Sequence, residues 1–441
     1  MRSGLITAAL VLAMTAPASA KVFPFPYQVH TLQNGLKVYL IPMPSPGLVA
    51  YYSVVRTGSR DEVEAGHSGF AHFFEHMMFR GTEKYPARVY DQIVTAMGAD
   101  ANAYTTDDYT CFHLALSTPD LAKVIEIEAD RFQNLSYAEA DFQTEAGAVY
   151  GEYRKGRTEP FEVLDEAIRD TAYDVHTYKH TTIGFEKDIA AMPTMYDYSR
   201  SFFKRFYRPD NVVILVTGDF DPAKTLDQIR KAYEDWKPGY VAPDVKPEPE
   251  QTRERTVNVA YPGRTLPILT FAWKGMTFDP GSREQAAALL LGDLAFGQTS
   301  DVYKDLVLDK RIVQRLTPDF SPNRDPGLWA VYAMVGKEEN LDVAKQALAA
   351  AVKRYQDAPP DAKRLEDLKK RRRYQMLMGL DTPDHVAGSL AQTVALTGGI
   401  EAVDRLYETI DQVTPADIQT LARKYLQDGH RTVAILKGVN S

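Results

Sequence analysis

Cysteine is nearly absent from the sequence: Cys111 is the single one among 441 residues, so the chain cannot form an internal disulfide. A chain of this length has to be held together by its hydrophobic cores instead. Beyond residue 20, no segment approaches the ~20 consecutive apolar residues of a transmembrane helix. No glycine-rich loop able to cradle a phosphate is present, and a formal net charge of −8 argues against a nucleic-acid partner. Peptides and small molecules therefore remain the ligands to consider.

The first twenty residues have the pattern of a secretory signal peptide. Arg2 supplies a positive charge, residues 5–14 form an apolar run, and small residues precede a cleavage site after Ala20. Because no cysteine stands near the predicted cleavage site, we expect no lipid anchor. We expect cleavage near Ala20 and a mature protein outside the cytosol.

The remaining length, about 420 residues, exceeds what one hydrophobic core supports, so we expect two domains. Residues 236–256 are rich in proline and charge and show almost no apolar periodicity, which predicts a semi-rigid linker. The domains would then cover residues 21–235 and 257–441. Helical and strand patterns are mixed without strict alternation, which favours an α+β fold over a parallel sheet.

The two predicted domains end alike. Residues 204–220 and 423–439 each combine a helical tail, a polar turn with an aspartate, a β-branched strand and a glycine, Gly218 or Gly438. These glycines are separated by half the chain, a period too long for a solenoid. The match indicates a duplicated domain.

Two of the nine histidines stand close together in "GFAHFFEHMMFRGT", residues 69–82. We predict a helix over residues 68–79. On this helix His72 and His76 lie one turn apart, and Glu75 projects from the same face. The helix is apolar nearly all round, so we expect it to be buried, where uncompensated charge costs several kcal/mol. A zinc ion removes that cost, and His-x-x-Glu-His is a known zinc-hydrolase pattern. The alternative is a hydrogen-bonded network inside the core.

A catalytic zinc ion needs a third protein ligand besides the two histidines if Glu75 is reserved for proton transfer. The segment "TEAGAVYGEYRKG" offers Glu145 and Glu152. Seven residues make almost two helical turns, so both carboxylates face the same way, about 10 Å apart along the axis. One would bind the ion and the other would support a ligand. The spacing does not decide which.

The chain resembles the pitrilysin-type family of inverted-motif zinc peptidases, especially bacterial members similar to mitochondrial processing peptidase. The resemblance covers most of the mature chain and is strongest in residues 29–233. It is carried by "TGSRDE", "GHSGFAHFFEHMMFRGTEKYP", "MGADANAYTTDDYTCF", "HTYKHTTIGFEKDI" and "FYRPDNVVILVTGDFDP", which occur in the family's order. It implies two homologous α+β domains, each a mostly antiparallel sheet packed with helices, and a periplasmic location.

The resemblance also implies a role for each candidate residue. His72, His76 and Glu152 would bind one zinc ion per chain, Glu75 would be the general base, and Glu145 would be the supporting carboxylate. The substrate would be an unfolded peptide added as a β-strand along Asn102 and Ala103, a binding mode that draws its affinity from backbone hydrogen bonds.

One block departs from the family pattern. Active members carry an Arg and a Tyr in a block resembling "LR-x5-GY" in the second domain, and residues 303–316 correspond to it here. Alignment places Val307 at the Arg position and Gln314 at the Tyr position, while Arg311 and Arg315 lie nearby without a following Tyr. We therefore expect a metal-bearing subunit that pairs with a homologous chain, as a heterodimer or a homodimer. The alternative is a non-proteolytic scaffold or binding subunit.

Overall fold

The computed structural model describes residues 21–439. The predicted signal peptide, residues 1–20, lies outside that range. The described chain folds into two α+β domains, each a sheet with helices packed against it, so the predicted fold class is confirmed. None of the helices in residues 21–439 is long and apolar enough to cross a membrane.

The N-terminal sheet has six strands in the order β1-β2-β6-β3-β5-β4, which leaves β4 at an edge. The β2–β6 pair is parallel and the other pairs are antiparallel. Its strands are β1 (Gln28–Thr31), β2 (Lys37–Pro42), β3 (Leu48–Val55), β4 (Asp100–Thr105), β5 (Thr110–Ser117) and β6 (Val212–Gly218).

The C-terminal sheet repeats this path with five strands in the order β7-β11-β8-β10-β9, again with one parallel pair, β7–β11. Its strands are β7 (Arg255–Tyr261), β8 (Ile268–Lys274), β9 (Val313–Asp319), β10 (Leu328–Val335) and β11 (Arg431–Gly438). Gly218 and Gly438, which mark the sequence repeat, end the corresponding strands β6 and β11.

Fifteen α-helices surround the two sheets in the described part of the chain. Those of the first half are α1 (Phe70–Met77), α2 (Ala87–Met97), α3 (Leu121–Asn134), α4 (Glu139–Gly156), α5 (Pro160–Ala172), α6 (Glu186–Ala191), α7 (Tyr196–Phe206) and α8 (Pro222–Tyr233). Those of the second half are α9 (Arg283–Phe296), α10 (Asp301–Tyr303), α11 (Leu341–Asp357), α12 (Ala362–Met378), α13 (Pro383–Thr397), α14 (Glu401–Gln412) and α15 (Pro415–Tyr425).

Both faces of the N-terminal sheet are buried, because successive side chains of a strand point to opposite faces. On β3, Val49 and Tyr51 enter the core beneath α1, α3 and α4, whereas Ala50 and Tyr52 enter a second core against α13. Helix α13 comes from the second half of the chain. In return, α5 of the first half covers β7 and β11.

Each half of the chain therefore contributes a helix to the other's sheet. Residues 236–254 contain neither helix nor strand, whereas residues 255–256, the last two of the proposed linker, already belong to β7.

The metal-motif helix is shorter than predicted. Helix α1 begins only after Gly69, because the left-handed φ of Gly69, +92°, is not helical. A Cβ at this position would lie 2.5 Å from the Ile183 carbonyl oxygen, so only glycine fits. The helix ends at Met77, and a 3-10 turn, Met78–Arg80, follows.

Candidate metal centre

Helix α1 is anchored at its first turn by a buried carboxylate. Glu62 accepts hydrogen bonds from the backbone N–H groups of Gly69 at 2.7 Å and Ala71 at 2.6 Å. Burial raises the pKa of Glu62 well above its usual value, although the same two bonds favour its charged form. The helix N-terminus favours that negative charge too. Sequence reasoning missed this role, because Glu62 lies seven residues before Gly69 and no local spacing links them.

The two faces of α1 differ in exposure. Phe70, Phe73, Phe74 and Met77 are fully buried in the N-terminal core. The residues of the motif, His72, Glu75 and His76, are only partly buried. The helix is thus buried on its apolar face, as expected, and the three polar side chains lie on a face that is only partly covered.

The two histidines and Glu152 of α4 point their ligand atoms at one another. Glu152 Oε2 lies 3.5 Å from His72 Nε2 and 3.4 Å from His76 Nε2, and the three atoms all fall within 4.8 Å of one another. Tetrahedral zinc with bonds of ~2.0–2.2 Å separates neighbouring ligand atoms by about 3.3–3.6 Å. The donor set and its spacing therefore fit a zinc ion.

The imidazole of His72 is suited to a neutral, metal-binding form. Burial and the neighbouring His76 lower the pKa of His72 to about 4. Its Nδ1 is buried without a hydrogen-bond partner in residues 21–439. A neutral imidazole keeps a lone pair for an ion.

Glu145 contacts His76 at Nδ1, the ring nitrogen that does not face Glu152. Its Oε2 lies 3.3 Å from Nδ1 of His76, and its other oxygen pairs with Arg80. The Glu145 side chain is 9% exposed, compared with 48% for Glu152. Glu145 can therefore orient His76, while Glu152 is the carboxylate able to share an ion with both Nε2 atoms.

Glu75 is held by the edge strand of the sheet. Thr105, the last residue of β4, donates a hydrogen bond of 2.7 Å from Oγ1 to Oε2 of Glu75. Burial raises the pKa of Glu75, and the Thr105 hydrogen bond and His76 partly oppose that shift. One carboxylate oxygen is thus fixed by Thr105, and the other remains available.

Asn102 and Ala103 lie on the same edge strand, shortly before Thr105. Asn102 is exposed and Ala103 is buried. The side-chain oxygen of Asn102 accepts a hydrogen bond of 2.8 Å from the Ala103 N–H. The Ala103 N–H is therefore already hydrogen-bonded. The Asn102 side chain would have to rotate before a substrate strand could accept a hydrogen bond from this N–H.

A cavity of about 370 Å³ adjoins the metal centre and is rich in acidic side chains. His72 and Glu152 form one wall, and Glu159, Glu162 and Glu166 form another. Two cations, Lys155 and Arg157, also line the cavity. Arg157 pairs with Glu166 at 2.6 Å, and Glu162 is exposed and forms no ion pair in residues 21–439. Sequence reasoning missed this cavity, although glutamates spaced three and four residues apart around the start of α5 were visible.

The block that departs from the family pattern lies in the C-terminal domain. Val307 packs against the core of that domain, and Gln314 is exposed on β9. Arg315 bonds Thr317 at 3.3 Å, and Arg311 bonds the Leu308 carbonyl. In the described part of the chain, no arginine or tyrosine of this block bonds the metal-centre residues.

Two family models match the chain in succession. The model described as insulinase, peptidase family M16, matches residues 48–185, and the model described as peptidase M16 inactive domain matches residues 195–372. The chain is 26% identical to the zinc protease PqqE of Helicobacter pylori over 98% of this chain and 97% of that protein. It is 23% identical to the mitochondrial-processing peptidase subunit beta of Blastocladiella emersonii, over 93% and 88% of the two chains. The crystal structure of a protease from Helicobacter pylori superposes with a TM-score of 0.87 at 26% identity, covering 94% of this chain and 99% of that one.

Proposed function

The chain belongs to peptidase family M16, the insulinase family, and on that basis we propose that it is a zinc endopeptidase, or the catalytic subunit of one, that hydrolyses unfolded peptides. The proposal depends on one observation above all. Three ligand atoms, from His72, His76 and Glu152, lie within 4.8 Å of one another.

In this proposal, His72, His76 and Glu152 would hold one zinc ion with the atoms that face one another, the two Nε2 atoms and Oε2. A bound zinc ion lowers the pKa of its water towards ~7 and polarises a peptide carbonyl. Glu145 keeps the ring of His76 in position through Nδ1, and Arg80 in turn neutralises Glu145.

Glu75 is the proposed general base. Because Thr105 occupies Oε2, Oε1 is the oxygen free to take a proton from the attacking water and return it to the leaving amine nitrogen. Thr105 thereby also limits the rotation of the carboxylate.

The proposed substrate is a peptide in extended conformation along β4, near Asn102 and Ala103. The edge position of β4 and its contact with α1 support this placement. Backbone pairing requires an unfolded segment and reads little side-chain sequence. The neighbouring cavity favours a lysine or arginine side chain next to the scissile bond, because its glutamates, Glu159, Glu162 and Glu166, outnumber its two cations, Lys155 and Arg157.

A homologous partner chain is part of the proposal. Developing negative charge on the scissile carbonyl oxygen needs donors beyond the metal. Residues 303–316 carry Val307 and Gln314 at the positions where the family has an Arg and a Tyr. The similarity to a processing-peptidase subunit beta supports a pair of homologous chains, with the partner supplying the Arg and Tyr. The composition of residues 1–20 supports a periplasmic location.

A second function, a non-proteolytic scaffold, is favoured by one observation. The family model matched by residues 195–372 is described as an inactive domain, and the same region carries the altered block. The two functions differ in whether an intact metal centre turns over peptides.

The deciding experiment measures zinc content and cleavage of flexible peptides by the purified mature chain, alone and with a homologous chain that carries the Arg and Tyr. We expect one zinc ion per chain, with cleavage that increases when the partner is added. Glu75→Gln should retain zinc and lose turnover, whereas Glu83→Gln, at an exposed glutamate in the loop that follows α1 and its 3-10 turn, should change neither. Zinc binding without cleavage in any combination would favour the scaffold.

A further inference from the structure

A second cavity, of about 620 Å³, opens on the N-terminal domain and shares no residue with the metal centre. It lies between the end of α3, the outer side of α7 and residues 235–237. Its volume is within the ~300–1,000 Å³ usual for small-molecule sites.

Positive charge is concentrated around this cavity. Arg200, Lys204, Arg208 and Lys237 line it, with Asp235 as the single acidic residue among them. None of the four cations forms an ion pair with a carboxylate in residues 21–439, although the chain has 59 acidic residues and 51 lysines and arginines. In an acidic protein, such a group of cations without acidic partners attracts an anion.

Helix geometry accounts for only part of this charge. Lys204 and Arg208 lie at the carboxyl end of α7, where cations complement the helix dipole, and Arg208 bonds the carbonyls of Lys204 and Lys237. Arg200 is in the middle of α7, and Lys237 follows α8 without belonging to a helix. Of the cations at the end of α7, only the Arg208 guanidinium is hydrogen-bonded. Arg200, Lys204 and Lys237 are therefore left for a ligand.

The wall of the cavity is aromatic. Tyr137, Tyr196, Phe203 and Tyr207 line it, and the guanidinium of Arg200 lies 5.9 Å from the Tyr196 ring centre. Trp236, only 6% exposed, also borders the cavity. Stacked rings beside a cation accept a planar ligand that carries negative charge.

Rings that line this cavity also pack against α1 and α4, the helices that carry the candidate metal ligands. The centres of the Phe203 and Tyr207 rings lie 5.9 Å and 5.6 Å from that of Phe74, which precedes Glu75. Tyr196 packs against Phe142 of α4 at 5.7 Å. A ligand in the cavity would therefore contact side chains that pack directly on α1 and α4.

We propose that this cavity is a binding site for a small aromatic anion, a planar ring bearing a phosphate or carboxylate group. The ring lies against the aromatic wall, and the anionic group lies among Arg200, Lys204 and Lys237. The site is separate from the proposed peptidase function, since no residue that lines it is a proposed ligand of the metal.

Phenyl phosphate is a suitable probe, measured against the zinc-loaded mature chain by calorimetry and by tryptophan fluorescence, to which Trp236 contributes beside Trp273 and Trp329. We expect saturable binding of one molecule per chain, weaker binding of inorganic phosphate, and no binding of neutral benzyl alcohol at the same concentrations. The double variant Arg200→Gln/Lys204→Gln should weaken phenyl phosphate at least ~10-fold. The control Lys345→Gln/Lys370→Gln removes two cations from α11 and α12 and should leave the affinity unchanged.

Three results would overturn the proposal. The first is no saturable binding of phenyl phosphate to the unaltered chain. The second is equal affinity in the Arg200→Gln/Lys204→Gln variant, which would place the anion elsewhere, for example on the metal. The third is equal affinity for inorganic phosphate, which would remove the aromatic part of the site. All three are independent of whether the protein cleaves peptides.

Discussion

Glu145→Gln should weaken zinc binding without removing a metal ligand. The substitution preserves the shape of the side chain but removes the charge that faces Nδ1 of His76 at 3.3 Å and pairs with Arg80. Arg80 would then lie unneutralised near the ion, and His76 would lose the anionic acceptor that makes its Nε2 a stronger metal ligand. Loss of such a supporting contact costs about 10- to 100-fold in metal affinity, or ~1.4–2.7 kcal/mol.

The assay is competition for zinc against a chromophoric chelator at neutral pH, with thermal unfolding of the zinc-free chain measured in parallel. Glu139→Gln is the matched control, because Glu139 is exposed at the start of the same helix, α4. An affinity within twofold of the unaltered chain, at unchanged stability, would refute the role of Glu145. If both variants lose affinity equally, the effect belongs to α4 as a whole.

Three further predictions follow from individual contacts. Glu62→Ala, which leaves two buried N–H groups of α1 without an acceptor, should lower the free energy of unfolding by about 2–4 kcal/mol, as measured by denaturant titration; an unchanged midpoint would contradict this. Glu162→Gln should reduce the preference for lysine or arginine beside the scissile bond in a peptide library, and an unchanged profile would remove the acidic cavity from substrate selection. Burial raises the pKa of Asp325, but hydrogen bonds from His176 and Arg60 outweigh it and lower this pKa to about 2 from 3.8. Above pH ~4 the depressed pKa contributes about 2 kcal/mol to the free energy of unfolding, and this contribution is lost as the pH falls towards 2. The variant Asp325→Asn should therefore flatten that part of the pH–stability curve.

The sequence alone was sufficient for the features that depend on local spacing. His72 and His76 are four residues apart, and a helix brings such positions to one face whatever surrounds it. The hairpin of β4 and β5 and the repeat ending at Gly218 and Gly438 are likewise patterns within short segments, and the strand order of the two sheets agrees with them.

Features that depend on distant parts of the chain were not accessible in this way. The side-chain directions of Glu145 and Glu152 depend on how α4 crosses α1, which helical spacing does not determine. Glu62 reaches the first turn of α1 across a loop, and nothing in the segment between them indicates the contact. The exchange of α5 and α13 between the two sheets is equally invisible, since an amphipathic helix carries no information about which sheet it covers.

Anomalous X-ray scattering at the zinc absorption edge, from crystals of the mature chain grown without chelator, tests the central claim most directly. We predict one peak per chain, about 2.0–2.2 Å from Nε2 of His72, Nε2 of His76 and a carboxylate oxygen of Glu152. A map with no peak between the two histidines, or with Glu152 turned away from it, would contradict the assignment of a zinc peptidase centre.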